Sequence, residues 1–207
     1  MADILVDEQS APAAPAAGQL VCFADNQNSQ WLQRNDAGIF LGDQSGSIVA
    51  QIAAHSADTY YKGMQLPSFS MQPGMVFEWY FPVSKGAAGV AAPAYTIRIG
   101  PNQSVADTAR LVINGPAQTA AADTGFVRIM ATVRSVGAAG VLQGMAWMQH
   151  NLAATGFANT PAGLSIVEAT SAGFDNTALG GQFIGLSVNP GAAGAWVVNQ
   201  VLARCWY

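Results

Sequence analysis

The sequence predicts an all-β protein, an antiparallel β-sandwich of jelly-roll-like form that carries an extended N-terminal arm. Three observations predict it. Apolar residues recur at every second position in four separate stretches, the period of a strand with one buried face. Short glycine-bounded turns separate such stretches. No long stretch shows the three-and-four spacing of a helix.

The arm comes first. Asp3-Ile4-Leu5-Val6-Asp7-Glu8 is an acidic-apolar segment, and Ser10-Ala11-Pro12-Ala13-Ala14-Pro15-Ala16-Ala17-Gly18 follows it as a Pro/Ala linker. Such a linker is semi-extended and has no core of its own. Residues 1–18 therefore read as the arm and residues 19–207 as the sandwich domain. An ordered arm needs a surface to lie against, either on a neighbouring molecule or on its own domain. Ile4, Leu5 and Val6 are the side chains that would dock there.

Four strands stand out from the alternation. Met75, Phe77, Trp79, Phe81 and Val83 form one inward row, with Val76, Glu78 and Tyr80 between them. Tyr95, Ile97 and Ile99 form a second, and Val127, Ile129, Ala131 and Val133 a third. Val197, Val201 and Ala203 read as inward near the C-terminus, with Val198, Gln200 and Arg204 outward and Asn199 interrupting. Ser104–Leu111 reads as a short helix or turn. Gly-Ala-Ala-Gly occurs three times, at Gly86–Gly89, Gly137–Gly140 and Gly191–Gly194. Each copy reads as a hairpin loop, because glycines supply the positive φ that tight hairpins need. Asn114-Gly115 is a further turn signal. This density of turns predicts about eight to ten strands.

Composition narrows the function classes. Charged residues are 10% of the chain, against roughly 25% in ordinary soluble proteins. A surface so poor in charge wets itself through Ser, Thr, Asn, Gln and Gly, or is covered by partners. The net charge of −4 and scattered basic residues argue against nucleic acid as a partner. No apolar run approaches the ~18 residues of a membrane span, so no membrane insertion is expected. The N-terminus lacks a basic region followed by an apolar core and does not read as a secretory signal, which implies folding in a cytoplasm. Cys22 and Cys205 lie near opposite ends of the folded region. They read as two reduced, half-buried thiols, although first and last strands are often neighbours in a sandwich.

The sequence places no catalytic residue, cofactor or metal site. His55 and His150 have no His, Cys, Asp or Glu at ligand spacing and read as surface or capping residues. Most acids sit in turn settings that satisfy local amides. Glu78 alone lies inside a strong strand, where it reads as a residue of a solvated face or a partner for Arg98. A glycosidase would need two carboxylates at roughly 5–9.5 Å across a cleft, and no pair declares itself. Asp25-Asn26-Gln27-Asn28 and Asp43-Gln44-Ser45-Gly46 carry calcium-type ligands without the rest of a calcium loop. The five tryptophans, Trp31, Trp79, Trp147, Trp196 and Trp206, are core if buried and stacking or anchoring platforms if exposed. Trp206 and Tyr207 end the last strand, pinned into the sandwich or plugged into a neighbour.

Four segments carry a resemblance: Tyr95-Thr96-Ile97-Arg98-Ile99-Gly100, residues 119–126, the Val133-Arg134-Ser135-Val136-Gly137 hairpin and residues 185–192. Through them, from about Pro73 to Arg204, the chain resembles tailed-bacteriophage virion surface proteins, the small β-sandwich class of decoration, head-fibre and tail-appendage proteins. The resemblance implies a non-enzymatic virion structural protein, made in the bacterial host cytoplasm and displayed on the virion surface. It implies other virion proteins of capsid or tail as partners, and a homo-oligomer, with a trimer the expected form. Anchoring would run through the arm, with Ile4, Leu5, Val6, Trp206 and Tyr207 as assembly contacts. The alternative is a receptor- or carbohydrate-binding module of a tail fibre, with a host-surface glycan as ligand. A polysaccharide hydrolase is a third reading and lacks its acid pair.

Overall fold

The computed structural model describes residues 8–10, 12–17, 19–25, 30–35, 40–41, 43–47, 51–67, 69–152, 155–157, 164–191 and 195–206. Sixteen strand segments occur among them: β1 (Glu8–Gln9), β2 (Leu20–Asp25), β3 (Gln30–Asn35), β4 (Phe40–Leu41), β5 (Asp43–Ser47), β6 (Ile52–His55), β7 (Thr59–Gln65), β8 (Val76–Lys85), β9 (Ala94–Gly100), β10 (Thr108–Asn114), β11 (Asp123–Ser135), β12 (Val141–His150), β13 (Leu164–Thr170), β14 (Phe183–Asn189), β15 (Trp196–Val198) and β16 (Leu202–Trp206). The count exceeds the eight to ten expected because strands such as β4, β6 and β15 are too short to show a period. No helix occurs among the described residues, and residues 101–107 form a turn that leads into β10.

Three sheets result. The first runs β1-β2-β3-β4, and β1 joins it in parallel, pairing Glu8 with Ala24 and Gln9 with Asp25. The second runs β10-β9-β14-β7. The third runs β13-β12-β11-β8 and then divides, because β8 is long enough to pair two strands along one edge. β15 pairs with its residues 83–85 and β16 with residues 76–80. β6 and β5 continue beyond β15 and β16 respectively. Among the described residues, every strand pairing apart from β1 with β2 is antiparallel.

The second and third sheets pack face to face. Phe77, Trp79, Phe81, Val127, Ile129, Ala131, Leu142 and Ala203 of one sheet meet Tyr95, Ile97, Ile99, Leu111, Ile113, Ile184 and Leu186 of the other in one buried cluster. The three inward rows around Trp79, Ile97 and Ile129 are those the alternation predicts. The late strand β14 lies between the early strands β7 and β9, the interleaving of a jelly-roll-like sandwich. At the C-terminus the phase differs from expectation. Trp196, Val198, Val201 and Ala203 are inward, and Val197 is only half-buried. The residues between β15 and β16 break the strand and reset its two-residue period.

Buried polar groups fasten the layers. The Trp79 indole N–H, on the third sheet, donates to the Lys62 carbonyl of β7 at 2.8 Å. The Gln118 amide donates to the carbonyls of Ala91 (2.9 Å) and Pro190 (2.6 Å). Its oxygen accepts the Trp196 indole N–H at 3.1 Å. One buried side chain thus joins two connections that cross between sheets. Those connections contain the first and third Gly-Ala-Ala-Gly copies, which link β8 to β9 and β14 to β15. They are sheet-switching loops, contrary to the expected hairpins, and residues 192–194 of the third lie outside the described residues. Only Gly137–Gly140 closes a hairpin, between β11 and β12.

That hairpin is held by Asn176, which is fully buried. Its Oδ1 accepts the Gly137 N–H at 2.9 Å, and its Nδ2 donates to the Ser135 carbonyl at 3.1 Å. A Cβ on Gly140 would collide with the Asn176 amide, whereas one on Gly86 would meet open space. Gly140→Ala should lower stability by about 1–3 kcal/mol through overpacking, and Asn176→Ala by about 1–3 kcal/mol through unpaired buried amides. Gly86→Ala should fall within about ±0.5 kcal/mol. Chemical denaturation of the three variants checks this: equal losses at Gly86 and Gly140 would show that the two copies of the motif are equivalent.

Candidate functional site

Alternation turns every second residue of β8, β11, β12, β13 and β16 away from the core. The cross-strand register sorts these side chains into rows. Ile166, Trp147, Arg128, Tyr80 and Leu202 form one row across five strands. Glu168, Met145, Met130, Glu78 and Arg204 form the next. Thr170, Gln143, Thr132, Val76 and Trp206 form a third. Phe126 and Pro82 face each other beyond the first row. A solvated sheet face is normally polar. This one carries two tryptophans, two methionines, Phe126, Ile166, Leu202, Tyr80, Val76 and Pro82. Ile166 is 59% exposed, and Phe126 and Leu202 are each 38% exposed.

A charged knot sits at its centre. Glu78 lies on this outer face, yet its side chain is wholly shielded. Arg128 binds its Oε1, the Arg204 Nε donates to its Oε2 at 2.9 Å, and the Tyr80 hydroxyl donates to the same Oε2. The Arg204 guanidinium lies 4.3 Å from the Trp206 ring centroid and 4.8 Å from that of Tyr80. Arg128 lies 5.4 Å from the Tyr80 centroid. Both cations therefore spread over aromatic faces while sharing one carboxylate. Burial, and then the bond and charge of Glu78, push the Tyr80 phenol above its usual pKa against the pull of the arginines. Arg98, the partner expected for Glu78, is on the other sheet and pairs with Asp58 at 2.6 Å.

Beside the knot runs a groove of about 360 Å³, lined by Tyr80, Pro82, Phe126, Gln200, Leu202 and Arg204. The Tyr80 and Phe126 rings stand 6.1 Å apart on its floor.

The predicted assembly residues distribute as follows. Trp206 is half-buried on this face, stacked on Arg204. Ile4, Leu5, Val6 and Tyr207 lie outside the described residues. Trp79 and Trp196 are core, and Trp147 is half-buried on the outer face. The side chain of Trp31 and residues 26–28 of the first calcium-type segment lie outside what is described, whereas Asp43-Gln44-Ser45-Gly46 is not a loop but part of strand β5, paired with β16. Cys22 is exposed on β2 and Cys205 is buried on β16, with no disulfide between them.

His150 departs from the surface role expected of it. It is buried, and its Nδ1–H donates to Asp123 Oδ2 at 2.7 Å. The antiparallel register of β11 and β12 sets His150 opposite Gly125, two residues from Asp123. Neither side chain is accessible. Asp123 also receives the amide protons of Thr124 and Phe157. Such a pair can orient an imidazole but offers no face to a substrate in this state. Lys85, buried nearby, donates to the carbonyls of Thr119 and Ala121. Among the described residues, no three His, Cys, Asp or Glu side chains converge as a metal site would require. His55 donates from Nδ1 to the Ala57 carbonyl at 3.1 Å, and its Nε2 lies 2.9 Å from the Tyr61 hydroxyl. Burial holds its pKa below 6.5.

Glu78→Gln should destabilise by about 2–3 kcal/mol, at the lower end for a buried ion pair because both arginines are partly exposed. Denaturation at neutral pH checks it, and an unchanged midpoint would show the knot to be energetically neutral. Because the folded state disfavours His55 protonation, its contribution to stability is complete above about pH 6.5 and declines as the pH falls below that value. His55→Gln should flatten this slope in melting curves taken across acidic pH. No protein-family model matches the chain, and no curated protein matches it in sequence.

Proposed function

We propose that the chain is a non-enzymatic structural subunit of a phage-type virion surface, decorating or projecting from the particle, and that it self-associates through the outer face of its largest sheet. The observation that carries this reading is the row Ile166–Trp147–Arg128–Tyr80–Leu202 with Phe126 beside it. A sheet that presents such a row invites a partner, because apolar and aromatic area gains free energy on leaving water. Aromatic and arginine side chains are also those that concentrate binding energy at interfaces. The low overall charge and the family resemblance agree with a subunit designed to be covered. Repeated copies on a particle would turn individually weak contacts into firm attachment. In this reading His150 and Asp123 are structural, and no cofactor is used.

A glycan-binding module is the second reading, favoured by the Tyr80–Phe126 floor of the groove with Arg204 at its wall. It predicts retention of host-surface oligosaccharides on a glycan array, lost in Phe126→Ala.

Analytical ultracentrifugation tests the first reading. The chain should sediment as a homo-oligomer, with a trimer the expected form. Ile166→Lys and Leu202→Lys should shift it towards monomer with little change in melting temperature, because both side chains are exposed. A monomer at all concentrations, together with no immunogold label on virions, would overturn it.

A further inference from the structure

An unpaired strand edge presents a row of backbone N–H and C=O groups, and proteins ordinarily block it with charge, proline, a bulge or a short strand. The terminal strands of the two packed sheets differ in this respect. β10 carries Arg110 at a break in its register with β9. β7 carries Lys62, and its register with β14 is broken. β6 is four residues long, and β5 is five residues long and begins at Asp43. β13 is seven residues, Leu-Ser-Ile-Val-Glu-Ala-Thr, in unbroken register with β12. It holds no proline and no basic residue, and its one charge is Glu168. Among the described residues no strand pairs with its other side.

The bonding of β13 to β12 fixes which backbone groups are left over. The Ser171 N–H donates to the Leu142 carbonyl at 2.9 Å. Alternate residues of an antiparallel strand turn their backbone groups the same way. Ala169, Val167 and Ser165 therefore bond towards β12, and Leu164, Ile166, Glu168 and Thr170 turn their N–H and C=O groups to the free side. The side chains at this margin agree with an open edge. Val167 and Ala169 pack on the core yet are only half-buried, and Ile166 on the outer face is 59% exposed. Two copies of such an edge can pair antiparallel about a two-fold axis only where outward residues meet outward residues. Centring the pair on Glu168 would set two carboxylates directly opposite one another, which destabilises a sheet. Centring it on Ile166 would leave Ala169 and Thr170 beyond the end of the partner strand. Centring it on Val167 overlaps the whole of β13 and sets each Glu168 opposite Ile166.

We infer that β13 pairs antiparallel with β13 of a second copy of the chain about a two-fold axis at Val167. Ile166 and Glu168 exchange backbone hydrogen bonds with Glu168 and Ile166 of that copy, and Leu164 pairs with Thr170. On the core side Val167 meets its own counterpart and Ser165 meets Ala169, which takes the half-buried margin out of water. On the outer side Ile166 lies against the aliphatic stem of Glu168. The match of outward groups, apolar margin and offset carboxylates under one rotation singles out a second copy as the occupant. The contact is isologous. It joins the large sheets of the two copies, so the exposed row that ends at Ile166 continues across the axis on the same face. The inference rests on reading the chain as a self-associating structural subunit, and it adds an edge contact to the face contact.

The test places single cysteines in the full chain in a Cys22→Ser background, because Cys22 is exposed. Opposed residues of a non-hydrogen-bonded antiparallel pair stand ~4.5 Å apart at Cα, within the span of a disulfide. Val167→Cys should therefore shift to a disulfide-linked dimer on mild oxidation, read on non-reducing gels, while Thr170→Cys, far from the axis, should not. Adding Glu168→Pro removes an outward N–H but no bond to β12, and should abolish the cross-link, with the fold checked by circular dichroism. Adding Leu202→Lys, which alters the outer face away from the edge, should leave the cross-link in place. Val167→Cys decides the matter whether or not Glu168→Pro folds. Cross-linking of Ile166→Cys in preference to Val167→Cys overturns the proposed pairing. A chain that sediments as a multimer while Val167→Cys stays unlinked overturns the edge contact and leaves self-association standing. A monomer at all concentrations, with no cross-link, overturns both.

Discussion

Glu78 occupies the position on which the outer face of the sandwich turns. Alternation along β8 commits Phe77, Trp79 and Phe81 to the core, and so commits Glu78 to the opposite side. A carboxylate there would ordinarily be hydrated. Instead it is covered by Arg128 from one neighbouring strand, Arg204 from the other, and Tyr80 from its own. That arrangement fixes three strands laterally at the centre of the sheet. It also stands the Tyr80 ring beside Phe126 and brings Trp206 over Arg204. The groove and its aromatic walls follow from how one buried charge is satisfied.

The same economy appears wherever the chain changes sheets. Each crossing leaves backbone groups that no ladder can pair. Gln118 takes up two of them from adjacent connections and accepts the Trp196 indole proton as well. Asn176 does the equivalent for the β11–β12 hairpin. Asp107 does so within the turn before β10, accepting amide protons from Asn102 and Ser104. With few charges in the composition, neutral amides carry most of this work, and their burial leaves the surface still poorer in polar groups. A chain built this way has little with which to keep a broad sheet face wet. The role proposed above would cover that face with another subunit.

His150 and Asp123 illustrate how an acid–imidazole pair can be architectural. They close the end of the core face of the large sheet, beneath Phe157, whose ring lies 6.3 Å from the imidazole and 5.1 Å from Trp196. Gly125 makes the room, since a Cβ there would press on His150 and on the Gln149 carbonyl. The geometry orders an imidazole as an active site would, while the burial withholds it from any ligand.

Much of the sandwich was legible in the residues. The two-residue period around Trp79, Ile97 and Ile129 identified the inward rows, because a strand with one buried face has no other way to write its sequence. The composition announced a surface short of charge. What the sequence could not carry was any relation between distant strands. The pairing of Glu78 with Arg128 and Arg204 depends on which strands flank β8. The meeting of His150 with Asp123 depends on hairpin register. The phase of Trp196–Val198 depends on a break that lets β15 and β16 share one edge. Three identical Gly-Ala-Ala-Gly loops look alike because glycine specifies conformational freedom and not destination. Only the packing of two sheets decided that one would close a hairpin and two would cross. The outer face, with its rows of aromatics, exists only once the register is set: residues far apart in sequence become neighbours through hydrogen-bonded pairing, and no local pattern encodes that.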